Sequence, residues 1–149
     1  MSGQKMPLMP GLLAYGGLIP FIGLAALSLM EPHHGLLYRG ALLLYGAVIL
    51  SFVGAVHWGA AMVDTHLDES ERNVEYVWSV IPALIGWVTY IFTPLISALL
   101  LILGFVLQYW VDIRSARTIG WPSWYLPLRV KLTTVAIICL AMGIIPLYV

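Results

Sequence analysis

Residues 44 to 64 read LYGAVILSFVGAVHWGAAMVD, an apolar stretch that contains one histidine and ends in an aspartate. About 20 apolar residues are what an α-helix needs to cross the hydrocarbon core of a bilayer. Small residues recur at every fourth position and would form one smooth strip that lets another backbone come close. They are Ala47, Ser51, Ala55 and Gly59. His57 follows Ala55 by two positions, or about 200° around the helix, so it lies on nearly the opposite face.

The composition of the whole chain places it in a membrane. Of its 149 residues 61% are hydrophobic and 9% charged, which is more apolar surface than a water-soluble domain of this size could bury. The net charge of zero gives no electrostatic footprint for nucleic-acid binding. A single cysteine, Cys139, excludes an intramolecular disulfide and a metal site built from several cysteines.

Five apolar segments predict an all-α integral membrane protein with one polytopic domain over residues 1 to 149. The predicted spans are about 10–30, 40–63, 76–92, 95–111 and 128–148. Pro20 predicts a kink near the middle of the first span. The hydrophilic stretch from Asp64 to Glu75 is predicted to be a water-exposed loop or short helix, because its acids lack the spacing of a calcium-binding loop.

The distribution of basic residues predicts the orientation. With five spans, one side of the membrane carries six of the seven Lys and Arg residues and the other side carries only Arg39. By the positive-inside rule the N-terminus is cytoplasmic and the C-terminus lies outside. The expected location is the bacterial inner membrane, or the mitochondrial inner membrane if the protein is organellar.

The connection before the last span is typical of a membrane interface. Aromatic rings at the level of the lipid head groups and arginines that reach lipid phosphates explain its composition without a ligand. The predicted interface anchors are Trp121, Trp124, Tyr125, Arg114 and Arg117.

The same topology brings the ends of three spans into one leaflet, so their polar and aromatic side chains are expected at similar depth. They are His57, Trp58, Asp64, Trp78, Ser79, Gln108 and Asp112. In a structural interpretation, a neutral His57 donates a hydrogen bond to a carbonyl or to Gln108 and fixes helix register. In a functional interpretation it marks a ligand site, because ionisable groups are costly in lipid and quinone carbonyls need donors such as His or Gln.

Other chemistries fit less well. Haem with two histidine ligands would need a second histidine at the depth of His57. Hydrolysis by Ser79 with His57 would need a nucleophile elbow that the sequence lacks. The likeness of residues 15–19 to residues 45–49 hints at the inverted repeat of a transporter, but no other pair of spans supports it.

Five motifs in order resemble the transmembrane protein 69-like family of proteobacteria and mitochondria. They are GLIPF (17–21), SFVGAVHWG (51–59), WSVIPAL (78–84), GFVLQYWVD (104–112) and PSWYLPLRVKLT (122–133). The resemblance implies a small multi-span inner-membrane protein and no particular activity. The motif positions that it carries over are His57, Trp58, Trp78, Gln108, Asp112, Trp124, Tyr125 and Arg129.

The sequence therefore predicts a non-catalytic accessory subunit or assembly factor. It is expected to contact membrane lipids and to pack against itself or other membrane proteins, with no catalytic or metal-binding residues. The alternative is a quinone-, lipid- or haem-associated site around His57 and Gln108, and a small transporter is the third hypothesis.

Overall fold

The computed structural model describes residues 3 to 147, and within them every regular element is a helix, as predicted. The six α-helices are α1 (Leu8–Gly16), α2 (Leu18–Met30), α3 (Gly35–Val63), α4 (Glu69–Thr89), α5 (Pro94–Ser115) and α6 (Tyr125–Ile144). Short 3₁₀ turns cover Pro32–His34 and Ile145–Leu147.

The first predicted span consists of two helices that meet at Gly17. Pro20 lies in the first turn of α2, where a missing backbone N–H costs least. The hydroxyl of Tyr45 on α3 donates to the carbonyl of Gly17 at 2.7 Å, so the break is held by a side chain of the next helix.

Four helical segments among the described residues are long and apolar enough to cross a membrane. They are Leu8–Met30, Pro32–Val63, Pro94–Ser115 and Tyr125–Ile144. Helix α4 has 21 residues, but four of its first seven are charged, and it does not reach the same hydropathy.

The hydrophilic stretch between α3 and α4 is shorter than predicted. Asp68 caps α4: it accepts from the backbone N–H of Glu71, whose carboxylate accepts from the backbone N–H of Asp68. The guanidinium of Arg72 donates to the carbonyls of Ala61, Asp64 and Leu67. These bonds stabilise the connection between α3 and α4. The prediction of a loop or short helix through Glu75 was therefore wrong, because the capping box starts a long helix at Glu69.

Helix α3 is central and packs against α2, α4, α5 and α6. It approaches α4 closely at Gly54, where an added Cβ would lie 2.6 Å from Cγ of Pro82. A Cβ on Gly86 would likewise lie 3.0 Å from the carbonyl oxygen of Ala47. Of the predicted small-residue strip, Ala47 thus packs against α4, whereas Ala55 and Gly59 are exposed.

Arg39 precedes the predicted second span of 40–63, but in the structure it is buried within α3. Its Nε donates to the carbonyl of Gly143 at 2.8 Å, near the C-terminal end of α6. A cation is favourable there because the last carbonyls of a helix have no partner of their own. The bond ties the start of α3 to the end of α6.

Candidate functional site: a buried ionic network

His57 lies on the buried face of α3, one turn beyond Gly54 and two beyond Leu50. The close approach of α4 at Gly54 leaves the imidazole fully enclosed, with 0% of the residue exposed. Both ring nitrogens have carboxylate partners. Nδ1 is 2.5 Å from Oε2 of Glu75 on α4, and Nε2 is 2.8 Å from Oδ1 of Asp112 on α5.

Asp112 is the second centre of this network and is also 0% exposed. Besides His57, its Oδ1 accepts from Nε2 of Gln108 at 3.0 Å, one turn earlier on the same helix. Its Oδ2 accepts from Nε of Arg129 on α6 at 2.8 Å. Both oxygens of the carboxylate are therefore used by protein donors.

The network contains four ionisable groups: His57, Glu75, Asp112 and Arg129. Their charges cancel if the imidazole carries a proton on each nitrogen. A neutral ring would donate through one nitrogen only and would face a carboxylate with the other. A protonated His57 donates to both Glu75 and Asp112, and with Arg129 the two cations then offset the two carboxylates. Buried charges are tolerated in this form, paired and hydrogen-bonded.

Aromatic side chains close the network. The indole N–H of Trp78 donates to Oε1 of Gln108 at 3.0 Å. Trp121 turns its ring toward His57 at 5.5 Å between centroids and donates to Oγ of Ser115 at 2.9 Å. Tyr125 stacks on Trp121 at 4.4 Å.

Three members of the predicted polar cluster lie apart from the network. Trp58 is about half exposed and packs against Tyr76, with ring centroids 4.8 Å apart. The hydroxyl of Ser79 donates to the carbonyl of Tyr76 within α4 at 2.7 Å. Asp64 ends α3, where the backbone N–H of His66 donates to its carboxylate and holds the pKa of that group below its usual value.

The predicted interface anchors divide into two groups. Arg114 and Arg117 are exposed, and the guanidinium of Arg114 lies 5.3 Å from the ring centre of Trp110. Trp124 is partly buried with its ring 6.4 Å from that of Tyr125. Trp121 and Tyr125, in contrast, face inward and cover the ionic network.

Glu75 is the functional residue that the sequence interpretation missed. A signal for it exists: the buried positions of α4 are Glu75, Ser79, Pro82, Gly86 and Thr89, at spacings of four and three. If the helix is started at the Asp68 capping box, this periodicity places Glu75 on the same face as Pro82. The network therefore draws one charged side chain from each of α3, α4, α5 and α6.

The arrangement is suited to holding helices together. Within residues 3 to 147, no group of three or more His, Cys, Asp or Glu side chains is arranged to hold a metal ion.

Comparisons with known proteins agree with the resemblance drawn from the five motifs. The family described as "Protein of unknown function (DUF3429)" matches residues 6–145. Transmembrane protein 69 of Xenopus tropicalis is 33% identical over 135 residues, covering 89% of this chain and 52% of the relative. The chain thus spans about half the length of that relative, and no solved structure matches it. With its apolar helices the chain is a multi-pass membrane protein, and it belongs to the transmembrane protein 69-like family (DUF3429).

Proposed function

We propose that this protein is a non-catalytic accessory subunit or assembly factor of a larger membrane complex. The observation that carries the proposal is the closed ionic network. Its four charged side chains come from four helices, and three hydrogen bonds join them into one chain. Breaking such a buried pair is strongly destabilising, so the network keeps one helix arrangement in place.

We infer that a bundle held together in this way acts through its outer surface. The C-terminal half of α3 exposes two small residues there, Ala55 and Gly59, near the half-exposed Trp58. A Cβ on Gly59 would have no atom within 4 Å. Small residues on a helix surface let a second helix approach closely in lipid. This area is where we place the contact with another membrane protein or a second copy.

The proposed setting is the bacterial inner membrane or the mitochondrial inner membrane, with five crossings and a cytoplasmic N-terminus. The basic residues at the end of α5 and just after it support this orientation, since Arg114 and Arg117 are exposed and Arg114 lies over the ring of Trp110. A ligand site around His57 and Gln108 is the less favoured alternative. Both residues are fully buried, so a ligand could reach them only if the network opened.

The test is the size of the complex that contains the full chain when native membranes are extracted in mild detergent. Ala55→Leu and Gly59→Leu should shift the protein from a high-mass species to a smaller one, because a bulky side chain separates the helices. Gly23→Leu on α2 is the matched control, because Gly23 is also exposed with no atom within 4 Å of an added Cβ.

Thermal stability separates loss of contact from loss of fold. All three variants should unfold at the temperature of the wild-type protein. A wild-type chain that runs as a free monomer would contradict the proposed function, and so would α3 variants that keep the wild-type complex size.

A further inference from the structure

A cavity of about 210 Å³ lies between α1, α2, α3, α5 and α6, and Arg129 of the ionic network is one of its lining residues. Its walls are apolar and rich in aromatic rings, with Phe21 and Phe105 in edge contact at 6.2 Å. Leu13 and Phe52, which also line it, are 74% and 67% exposed. The cavity therefore opens on the apolar outer surface of the bundle.

Three polar atoms at this cavity are buried and have no hydrogen-bond partner. They are the hydroxyl of Tyr125, Nη2 of Arg129 and Oγ1 of Thr133. Each residue is at least nine-tenths buried, and all three line the cavity. They follow one another at spacings of four on α6, so they share one face of the helix.

Unpartnered buried polar atoms are rare and costly, and three on one stripe call for an explanation. Nη2 of Arg129 can only donate, and the two hydroxyls can donate or accept. The complementary group is thus a molecule with oxygen acceptors at its polar end. Arg129 contributes only its Nε to the ionic network, and the Tyr125 hydroxyl lies near the carboxylate of Asp112 without a hydrogen bond to it.

The charge of the surroundings decides which acceptor fits. The positive charge of Arg129 is already balanced within the network, so an anionic head group would add an unbalanced charge in a region without water. A neutral carbonyl avoids that cost. The aromatic walls suit a flat ring. The volume is below the roughly 300 Å³ of pockets that enclose a whole drug-sized ligand, so it suits a head group whose tail extends into lipid.

We propose that this cavity binds the ring of a lipid-soluble quinone, with its carbonyl oxygens accepting from Tyr125, Arg129 and Thr133. The binding involves no electron transfer. This site is separate from His57 and Gln108, and the inference does not rest on the proposed accessory role.

The test uses the full chain purified in detergent and a ubiquinone analogue with a decyl tail as the probe. Saturable binding should raise the unfolding temperature of the wild-type protein. Tyr125→Phe and Thr133→Val each remove one hydroxyl at nearly constant shape, and each should weaken binding on the order of fivefold, the usual effect of one hydrogen bond.

The matched control is Thr134→Val on the same helix. Thr134 is exposed and donates to the carbonyl of Val130 at 2.7 Å, outside the cavity. The Thr134→Val variant should bind the quinone with wild-type affinity. Without the probe, Tyr125→Phe and Thr133→Val should be at least as stable as the wild-type protein, since their hydroxyls have no partner to lose. A weakened affinity therefore cannot be ascribed to unfolding.

Three results would overturn the proposal. The first is the absence of saturable binding. The second is unchanged affinity in both hydroxyl variants. The third is an equal thermal shift with a decyl chain that lacks the ring, or stronger binding of decanoate, because the cavity would then take an acyl chain or an anionic lipid.

Discussion

Oε2 of Glu75 lies 2.5 Å from Nδ1 of His57, and this contact joins the first turns of α4 to the last turns of α3. It supplies the second carboxylate that a doubly protonated imidazole requires. Without Glu75, His57 and Arg129 would share the single carboxylate of Asp112, and the network would hold an excess positive charge.

The first prediction follows from this contact. Glu75→Gln keeps the shape of the side chain but removes its charge, and it should lower the free energy of unfolding by about 2 kcal/mol, the scale of a hydrogen bond to a charged group. The measurement is unfolding of the purified chain in mixed micelles of increasing denaturing detergent. Glu69→Gln is the control on the same helix, because Glu69 is exposed and should leave stability unchanged. Equal effects of the two substitutions would mean that the Glu75 contact contributes nothing.

The second prediction compares two glycines of α3. Gly54→Ala should destabilise the protein by about 1–3 kcal/mol, because its Cβ would lie 2.6 Å from Cγ and 2.8 Å from Cβ of Pro82. Gly59→Ala meets no atom within 4 Å and should be neutral or slightly stabilising, since alanine favours the helix. Unfolding in mixed micelles measures the change in the free energy of unfolding for both variants. A Gly54→Ala variant as stable as the Gly59→Ala variant would show that α3 and α4 do not pack this closely.

The helices themselves could be predicted from the sequence because apolar length alone determines a membrane span. The boundaries were less accurate. Charged residues can extend a helix beyond its apolar part, as Glu69 and Arg72 do in α4. The prediction started this span at Tyr76, where the apolar residues begin, while the capping box starts the helix seven residues earlier.

The candidate site was only partly predictable. Depth within the membrane places His57, Gln108 and Asp112 at one level, but it does not say which face of each helix meets another. That depends on contacts such as Gly54 against Pro82, which set the rotation of α3 on α4. The prediction that Arg129 belongs to the site rested on the family resemblance alone. Glu75 was assigned to the solvent-exposed stretch because acidic residues surround it in the chain.

The third prediction concerns topology. In a chain whose native Cys139 is replaced by alanine, single cysteines are placed at exposed positions in the N-terminal segment and in each of the four connections. The positions are Gln4, His33, Thr65, Thr93 and Thr118. If all five predicted spans cross, an impermeant maleimide should label positions 4, 65 and 118 from one side of the membrane and positions 33 and 93 from the other.

Positions 65 and 93 decide whether α4 crosses, because they flank this helix. Labelling of both from the same side would place α4 on the membrane surface or in a re-entrant position. Labelling of position 4 from the periplasmic or intermembrane side would reverse the orientation that the basic residues indicate.

The last prediction tests whether the four charges act as one unit. Asp112→Asn leaves two cations and one carboxylate, and Arg129→Gln leaves two carboxylates and one cation. Each should cost about 3 kcal/mol of unfolding free energy, because each leaves a buried charge unbalanced. The double variant leaves His57 and Glu75, whose charges cancel, so its cost should fall short of the sum of the single costs by at least about 1 kcal/mol. Arg117→Gln, an exposed control, should change neither the stability nor the coupling. Strictly additive effects in unfolding measured in mixed micelles would show that Asp112 and Arg129 do not share a balanced network.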